Sequence, residues 1–241
     1  MSTGYKRAIL KISGEMLKDK FGGEAIAIGA VRVFCEAIRD LHGGGFELGI
    51  VVGGGNIFRG ATANEMFKCD RVSADYVGML ATTINSMLVA DGLAKLGVAA
   101  TVFSSMPMPD ICETYYPRHA QRDIAAGKVL LLAGGTGRAF FSTDSAAALR
   151  ASELNADVVV KVTKVDGVYD RDPQKYSDAK KFDRIFFREV LAQRLAVMDS
   201  TAFSLCMDNN IPLVIVSGEE NWKNIGRALR GEAVGTTIFS D

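Results

Sequence analysis

Twice in this chain a short apolar run stops at a cluster of glycines. The first instance is LGIVVGGGNIFRG at residues 48–60. A β-branched run of this length bounded by glycine suits a buried parallel strand better than a helix. The second is KVLLLAGGTGRAFFSTDS at 128–145, where an apolar strand over 128–133 gives way to a glycine turn and then to a helix that opens on Ser142, Thr143, Asp144 and Ser145. At the carboxyl edge of an open α/β sheet, residues without a Cβ let backbone N–H groups come close to an anion. One such break alone reads first as a tight turn beside a solvated arginine. Two of them read as a pocket. Asn56 and Arg59 bring side-chain donors to the first, and Thr136 and Thr143 bring hydroxyls to the second. The unpaired N–H groups at the start of the new helix form an oxyanion site.

The remaining pattern surrounds these two turns with alternating elements. Strands are expected over 7–13, 48–52, 99–103, 128–133, 157–163, 212–216 and 236–239, and helices over 28–41, 73–96, 118–126, from 142 onward, 187–198, 201–209 and 222–229. Such alternation predicts an α/β fold, a mostly parallel sheet with helices on both faces. In the helix over 73–96 the spacing puts Val77, Leu80, Ala81, Ile84, Leu88 and Leu96 on the buried side and Asp75 in the first turn. Residues 59–71 read as a loop. Lys11 and Lys161 each interrupt an apolar strand. The ordinary explanation is a snorkelling side chain, and the functional one is a cation delivered to the edge that carries the glycines. With 241 residues and no internal repeat or linker, the chain fits one large domain or two small lobes sharing a sheet.

Charge and cysteine content narrow the partners. Lys plus Arg and Asp plus Glu number 28 each, and the pI is near 6.7. That balance leaves no basic footprint for nucleic acid and no polybasic membrane anchor, and it favours a small-molecule ligand. Cys35, Cys69, Cys112 and Cys206 are widely separated, which reads as idle thiols in a reducing compartment rather than a disulfide or metal set. No secretory signal or membrane span is read, so a soluble cytoplasmic protein is expected.

Two anion cradles imply two phosphate-bearing ligands, with Lys11, Lys161 and Arg59 as cations and Asp75, Asp144, Asp172 and Asp199 as acids near them. Phosphoryl transfer relies mainly on alignment and charge neutralisation, which such groups supply. The only histidines, His42 and His119, fall beside a helix end and in a surface segment, where neither makes a convincing base. An acceptor that arrives already ionised, such as a phosphate monoester or a carboxylate, needs none. Neither a G-x-x-x-x-G-K-[ST] loop nor the signature set of protein kinases occurs.

The residues KISG at 11–14, VVGGGNIFRG at 51–60, D-x-x-G-M-L-A-T at 75–82, GTG-x-x-F-F-S-T-D at 135–144, KVTKVDGVY at 161–169 and the pair Met198-Asp199 occur in one order over nearly the whole chain. Together they resemble the bacterial uridylate kinases, the UMP kinases of the amino acid kinase superfamily. The resemblance implies a three-layer αβα sandwich with a mostly parallel central sheet, the carbamate kinase-like fold. It implies a single domain over 1–241 whose N-terminal part mainly binds UMP and whose C-terminal part mainly binds ATP. By the same likeness Lys11, Asp144 and Asp199 are catalytic, with Lys11 on the transferring phosphoryl group and Asp144 orienting it. UMP falls to Gly54, Arg59, Asp75, Thr136, Gly137, Arg138, Ala139, Phe140, Phe141, Ser142 and Thr143. ATP falls to Lys11, Ile12, Ser13, Gly14, Gly55, Arg59, Thr163, Tyr169 and Asp172, with Mg²⁺ carried on the nucleotide and no metal site in the protein. A homohexamer, often activated by GTP and inhibited by UTP, is also implied. Arg138-Ala139 departs from the Asn-Pro common in the family, and residues 15–28 look short for a pronounced GTP response. Kinases of acetylglutamate, aspartate, glutamate or carbamate share the fold but lack the combined GGGNIFRG and GTG-FFSTD pattern.

Overall fold

The computed structural model describes residues 4–18, 23–58, 70–173, 175–195, 197–218 and 222–240. The strands are β1 (Arg7–Ile12), β2 (Glu47–Val52), β3 (Ala100–Ser104), β4 (Glu113–Thr114), β5 (Val129–Ala133), β6 (Val158–Thr163), β7 (Val168–Tyr169), β8 (Lys181–Phe182), β9 (Arg184–Phe186), β10 (Leu213–Ser217) and β11 (Thr236–Phe239). The helices are α1 (Ile28–Gly43), α2 (Arg71–Lys95), α3 (Pro117–Ala125), α4 (Thr143–Glu153), α5 (Phe187–Ala192), α6 (Ser200–Asp208) and α7 (Lys223–Leu229), with a 3₁₀ turn over Gly14–Leu17. Nine strands form one sheet in the order β4-β3-β5-β2-β1-β6-β10-β11-β9, and β7 pairs with β8 apart from it. Among the described residues, only the β10–β11 pairing within the large sheet is antiparallel. The parallel strands β1, β2, β5, β6 and β10 therefore end at one common edge.

Side chains alternate between two cores, as a sheet buried on both faces requires. Ala8, Leu10 and Ile12 of β1 join α1, α2 and α7 in one core, while Ile9 faces the other with α3, α4, α5 and α6. The expected three-layer αβα sandwich is present. The sequence pattern overran the helix expected at 187–198, which ends at Ala192, and it missed the short strands β4, β7, β8 and β9.

The correction of most consequence concerns α2. Val77, Leu80 and Ile84, expected inside, are exposed, and with Tyr76 and Met87 they form an outward apolar stripe. Ala74, Met79, Ala81, Thr82, Thr83, Asn85, Ser86, Val89 and Leu93 are the buried positions. Beside Met79, Val89 and Leu93, the inward positions are small or polar, which lets this helix approach and hydrogen-bond the glycine loops. Its start at Arg71, with Asp70 as N-cap accepting from the Ser73 N–H, also moves Asp75 out of the first turn. At 25 residues with mean hydropathy 1.3 over its most apolar window, α2 is long and apolar enough to cross a membrane by length and composition, contrary to the expectation that no segment is. Its inner face, however, packs on β3 and β5.

Candidate active site

The common edge of the parallel strands carries the site. In β1 and β6, Lys11 and Lys161 are direct register partners, so two ammonium groups arise side by side on one face of the sheet. Neighbouring strands are only about 4.8 Å apart, and two cations so close require an anion. Asp144 supplies it from the first turn of α4. Its Oδ1 lies 2.8 Å from Lys11 Nζ and its Oδ2 2.7 Å from Lys161 Nζ. The Lys11 contact is a close charge pair, and among the described residues no aligned hydrogen bond reaches Oδ1. Lys161 also donates to the Val197 carbonyl at 2.6 Å. Burial works to raise the Asp144 carboxyl, but the charges of Lys11 and Lys161 outweigh it and hold the group below its ordinary value. Burial pushes the Lys161 ammonium below the usual lysine range, with Asp144 opposing the shift.

A short acid reaches these lysines because α4 lies close to the sheet, its inner surface built from Ala146, Ala147, Ala148 and Ala151. The N-cap of α4 is Ser142: its hydroxyl accepts from the N–H groups of Asp144 at 2.9 Å and Ser145 at 3.3 Å. Its own proton goes to Asp199 Oδ2. Asp199 also accepts from the Ser145 hydroxyl at 2.9 Å and caps α6 through the Ala202 N–H at 3.0 Å. Asp199 thus ties the starts of two helices together and holds the segment whose Val197 carbonyl meets Lys161.

The glycine loops divide by the reason each lacks a Cβ. A Cβ on Gly14 would lie 2.2 Å from Asn56 Oδ1 and 2.3 Å from the Gly53 carbonyl, and one on Gly54 would lie 2.6 Å from the Gly78 carbonyl. These two residues allow close backbone packing. At Gly55 a Cβ would meet nothing within 4 Å, so its surface faces open space. In the second loop Gly134, Gly135 and Gly137 all have positive φ, at 73°, 57° and 77°, which favours glycine.

The buried side of α2 holds both loops. Asn85 donates to the Gly53 carbonyl at 2.8 Å, and its amide exchanges hydrogen bonds with that of Asn56. Asn56 donates as well to the Ala25 carbonyl, so the side chain expected to face a ligand is engaged within the fold. Thr82 Oγ1 accepts from the Gly134 N–H at 2.9 Å, and Asp75 Oδ2 accepts from the Phe140 N–H at 2.7 Å. Phe140 has φ 71° and is exposed, with the Arg71 guanidinium 5.4 Å from its ring centroid. Arg71 also pairs with Asp75 at 2.9 Å.

Of the residues singled out in the sequence, Lys11, Asp144, Ser142, Thr143 and Asp199 come together, and Gly53 brings the first glycine loop beside the Thr143 hydroxyl. Asp75 and residues 136–143 line one flank. Thr136 Oγ1 lies 3.3 Å from the Arg138 N–H and carbonyl, and Arg138 and Phe141 are exposed while Ala139 is half-buried. Ile12, Ser13 and Gly14 continue from Lys11 into the 3₁₀ turn. Thr163 ends β6 with its hydroxyl on the Val165 carbonyl at 2.7 Å, while Tyr169 on β7 donates to Asp166 at 2.6 Å. Asp172 is exposed, 3.7 Å from Lys175. Arg59 lies outside the described residues. Lys161 is the member of the charged centre that the family likeness left out of the site, although its intrusion into an apolar strand was the same signal that marked Lys11.

The amino acid kinase family model matches residues 6–217. The chain belongs to the amino acid kinase family. Among solved structures, a UMP kinase from Bacillus anthracis is 34% identical with a TM-score of 0.95, over 99% of this chain and 97% of that one. A UMP kinase from Ureaplasma parvum is 33% identical at TM-score 0.92, over all of both chains. A uridylate kinase from Archaeoglobus fulgidus is 28% identical at TM-score 0.73, over 96% of this chain and 99% of that one. Within the amino acid kinase family, this chain therefore stands with the bacterial UMP kinases in both sequence and fold.

Proposed function

We propose that the chain phosphorylates UMP to UDP with ATP, as a step of pyrimidine nucleotide synthesis. The observation that carries this reading is the Lys11–Asp144–Lys161 centre set between two glycine loops, in a fold shared with UMP kinases at TM-scores of 0.92 and 0.95. An oxygen of the UMP phosphate attacks the γ-phosphorus in line, and the bond to the β,γ-bridging oxygen breaks, releasing ADP. No base is needed, because a phosphate monoester with a second pKa near ~6 is largely ionised at neutral pH. Lys11 and Lys161 neutralise charge on the moving group, and Asp144 keeps both ammonium groups aimed at it.

The N-terminal part of this single domain holds UMP through Gly54, Arg59, Asp75 and residues 136–143. The C-terminal part holds ATP through Thr163, Tyr169 and Asp172, together with residues 11–14, Gly55 and Arg59. The open surface at Gly55 supports a phosphate there. Asp199 serves this chemistry by fixing the start of α4. Both Asp144 oxygens face ammonium groups and both Asp199 oxygens accept protein hydrogen bonds, so both acids are engaged by the protein's own groups. Mg²⁺ fits this site as a passenger on the ATP phosphates, where it would offset their charge.

Self-association into a homohexamer is part of the same reading. The exposed Val77, Leu80, Ile84 and Met87 stripe of α2 is the surface that supports it. GTP and UTP are the effectors to titrate. The free thiols of Cys35, Cys112 and Cys206 fit a reducing cytoplasm.

The test is ADP release with ATP and Mg²⁺ across UMP, CMP, dUMP, AMP, N-acetylglutamate, glutamate, aspartate and carbamate. Strong selectivity for UMP is expected. Turnover of an amino acid would keep the fold and overturn the acceptor, and ATP binding without any turnover would overturn the enzymatic reading.

A further inference from the structure

Arg150 lies on α4, beyond Asp144, with its side chain only 5% exposed. A guanidinium in such a place is costly unless it is paired and hydrogen-bonded. Here Glu153 supplies the opposite charge, and the Tyr115 ring lies 3.8 Å from the guanidinium carbon. The Tyr115 hydroxyl donates in turn to Glu153 at 2.8 Å. The remaining contact leaves the cluster, since Arg150 Nη2 donates to Ser105 Oγ at 2.8 Å.

That contact sets the direction of a second hydrogen bond. A serine hydroxyl has one proton, and an arginine can only donate. Ser105 must therefore accept from Arg150 and direct its proton elsewhere. The Gly135 carbonyl is the better acceptor, at 2.8 Å against 3.4 Å for the Ala133 carbonyl. Among the described residues there are no cis peptide bonds, so the C=O of Gly135 and the N–H of Thr136 point opposite ways. Anchoring the carbonyl on Ser105 aims the Thr136 N–H away from Ser105, and among the described residues that N–H has no acceptor. A hydrogen bond from the Gly137 N–H to the Gly134 carbonyl at 2.9 Å closes this turn, but it does not fix which way the central Gly135–Thr136 peptide faces. Gly134, Gly135 and Gly137 give it wide conformational freedom. Ser105 also packs directly beneath it, since a Cβ on Gly137 would lie 3.0 Å from the Ser105 carbonyl.

We propose that Arg150, acting through Ser105, is a positioning residue that fixes the Gly135–Thr136 peptide so that the Thr136 N–H faces the acceptor nucleotide as a hydrogen-bond donor. The proposal rests on the reading that residues 136–143 hold a nucleoside monophosphate. Donor binding lies outside the relay, so the two substrates should respond differently to its loss.

Steady-state kinetics with each substrate varied in turn tests this. Ser105→Ala removes the relay without stranding a buried charge. It should raise KM for UMP about five- to tenfold while KM for ATP and kcat stay within about twofold. Arg150→Met should show the same asymmetry, and adding it to Ser105→Ala should raise KM for UMP little further, because the two act in series. Arg150→Lys keeps a charged donor and should fall closer to the parent protein. If Arg150→Met does not fold, Ser105→Ala alone decides the matter. An unchanged KM for UMP in that variant, or equal rises for UMP and ATP, would overturn the proposal. Should the parent protein phosphorylate a different anion, the function assigned above fails, and the same asymmetry measured with that acceptor decides whether the relay stands.

Discussion

Replacing Asp144 by asparagine keeps the shape of the charged centre and removes the carboxylate that contacts both lysines. The side chains of Lys11 and Lys161 are 13% and 15% exposed, so solvent screens them weakly. Breaking one buried pair typically costs about 3–5 kcal/mol. Two ammonium groups left about 5 Å apart add a repulsion of about 3 kcal/mol at an effective dielectric constant near 20. Part of this is relieved when Lys161, already below the usual lysine range, gives up its proton. A net loss of about 3–5 kcal/mol at pH 7 is expected, or about 6–20 °C in Tm for a chain of this size. The pH dependence identifies the cause. Asp144 has a lowered folded-state pKa, so its contribution is complete above the unfolded value of about 4 and stays constant from pH 7 to 10. In the variant, the folded pKa of Lys161 falls further below its unfolded value of about 10.4. Between those two values the unfolded chain binds more protons, and stability rises with pH. Thermal or urea unfolding of both proteins from pH 7 to 10 should show the deficit shrinking as pH rises. ATP should narrow the gap as well, because its phosphates replace the missing anion and stabilise the variant more than the parent. A deficit below about 1 kcal/mol, or one constant across the range, would refute the claim that one carboxylate compensates two buried cations.

Other outcomes bear on the same site. Lys11→Ala should lower kcat by about 10²-fold or more while UMP binding measured by calorimetry is retained; near-normal turnover would dismiss its role on the transferred group. The alkaline limb of kcat/KM should fall below the ordinary lysine range, because burial lowers Lys161, and Lys161→Arg should displace that limb upward if the variant retains turnover. Gly54→Ala should cost about 1–3 kcal/mol in unfolding measurements, since its Cβ would press on the Gly78 carbonyl and on Ala81. Gly55→Ala should leave stability unchanged within about 1 kcal/mol and instead raise KM for ATP; unaltered kinetics would move the phosphate away from Gly55.

Most of the sheet was legible because β1, β2, β5, β6 and β10 are apolar runs with a single sense, buried on both faces. The short strands were not, since two residues such as Lys181 and Phe182 carry no periodicity and pair only in the folded chain. The charged centre was half legible. A lysine inside an apolar strand is conspicuous wherever it falls, and both Lys11 and Lys161 stood out. That Asp144 answers the two together depends on the adjacency of β1 and β6, strands more than 140 residues apart whose register no local pattern reveals. Asp199 was visible as an acid near a helix start, but its hold on Ser142 and Ser145 arises only where α4 meets α6.

Helix α2 shows why the inside of an element can be misassigned even when its extent is nearly right. Periodicity selects the apolar stripe as the core side because burial of apolar area usually dominates. Here a stronger local constraint acts. Two glycine loops expose backbone groups at the sheet edge, and those groups need partners once buried. Asn85 satisfies the Gly53 carbonyl, Thr82 the Gly134 N–H and Asp75 the Phe140 N–H, all from one side of the helix. Gly78 lets the same side approach Gly54. With its inner side given to holding the loops, α2 carries Val77, Leu80 and Ile84 outward. A helix that buries Thr82 and Asn85 against glycine loops while Val77, Leu80 and Ile84 stay exposed has its orientation set by the site, with Val89 and Leu93 reaching the core on the same side. The exposed stripe is therefore a consequence of the loops: a packing partner on that stripe would press the Thr82, Asn85 and Asp75 contacts against both glycine turns.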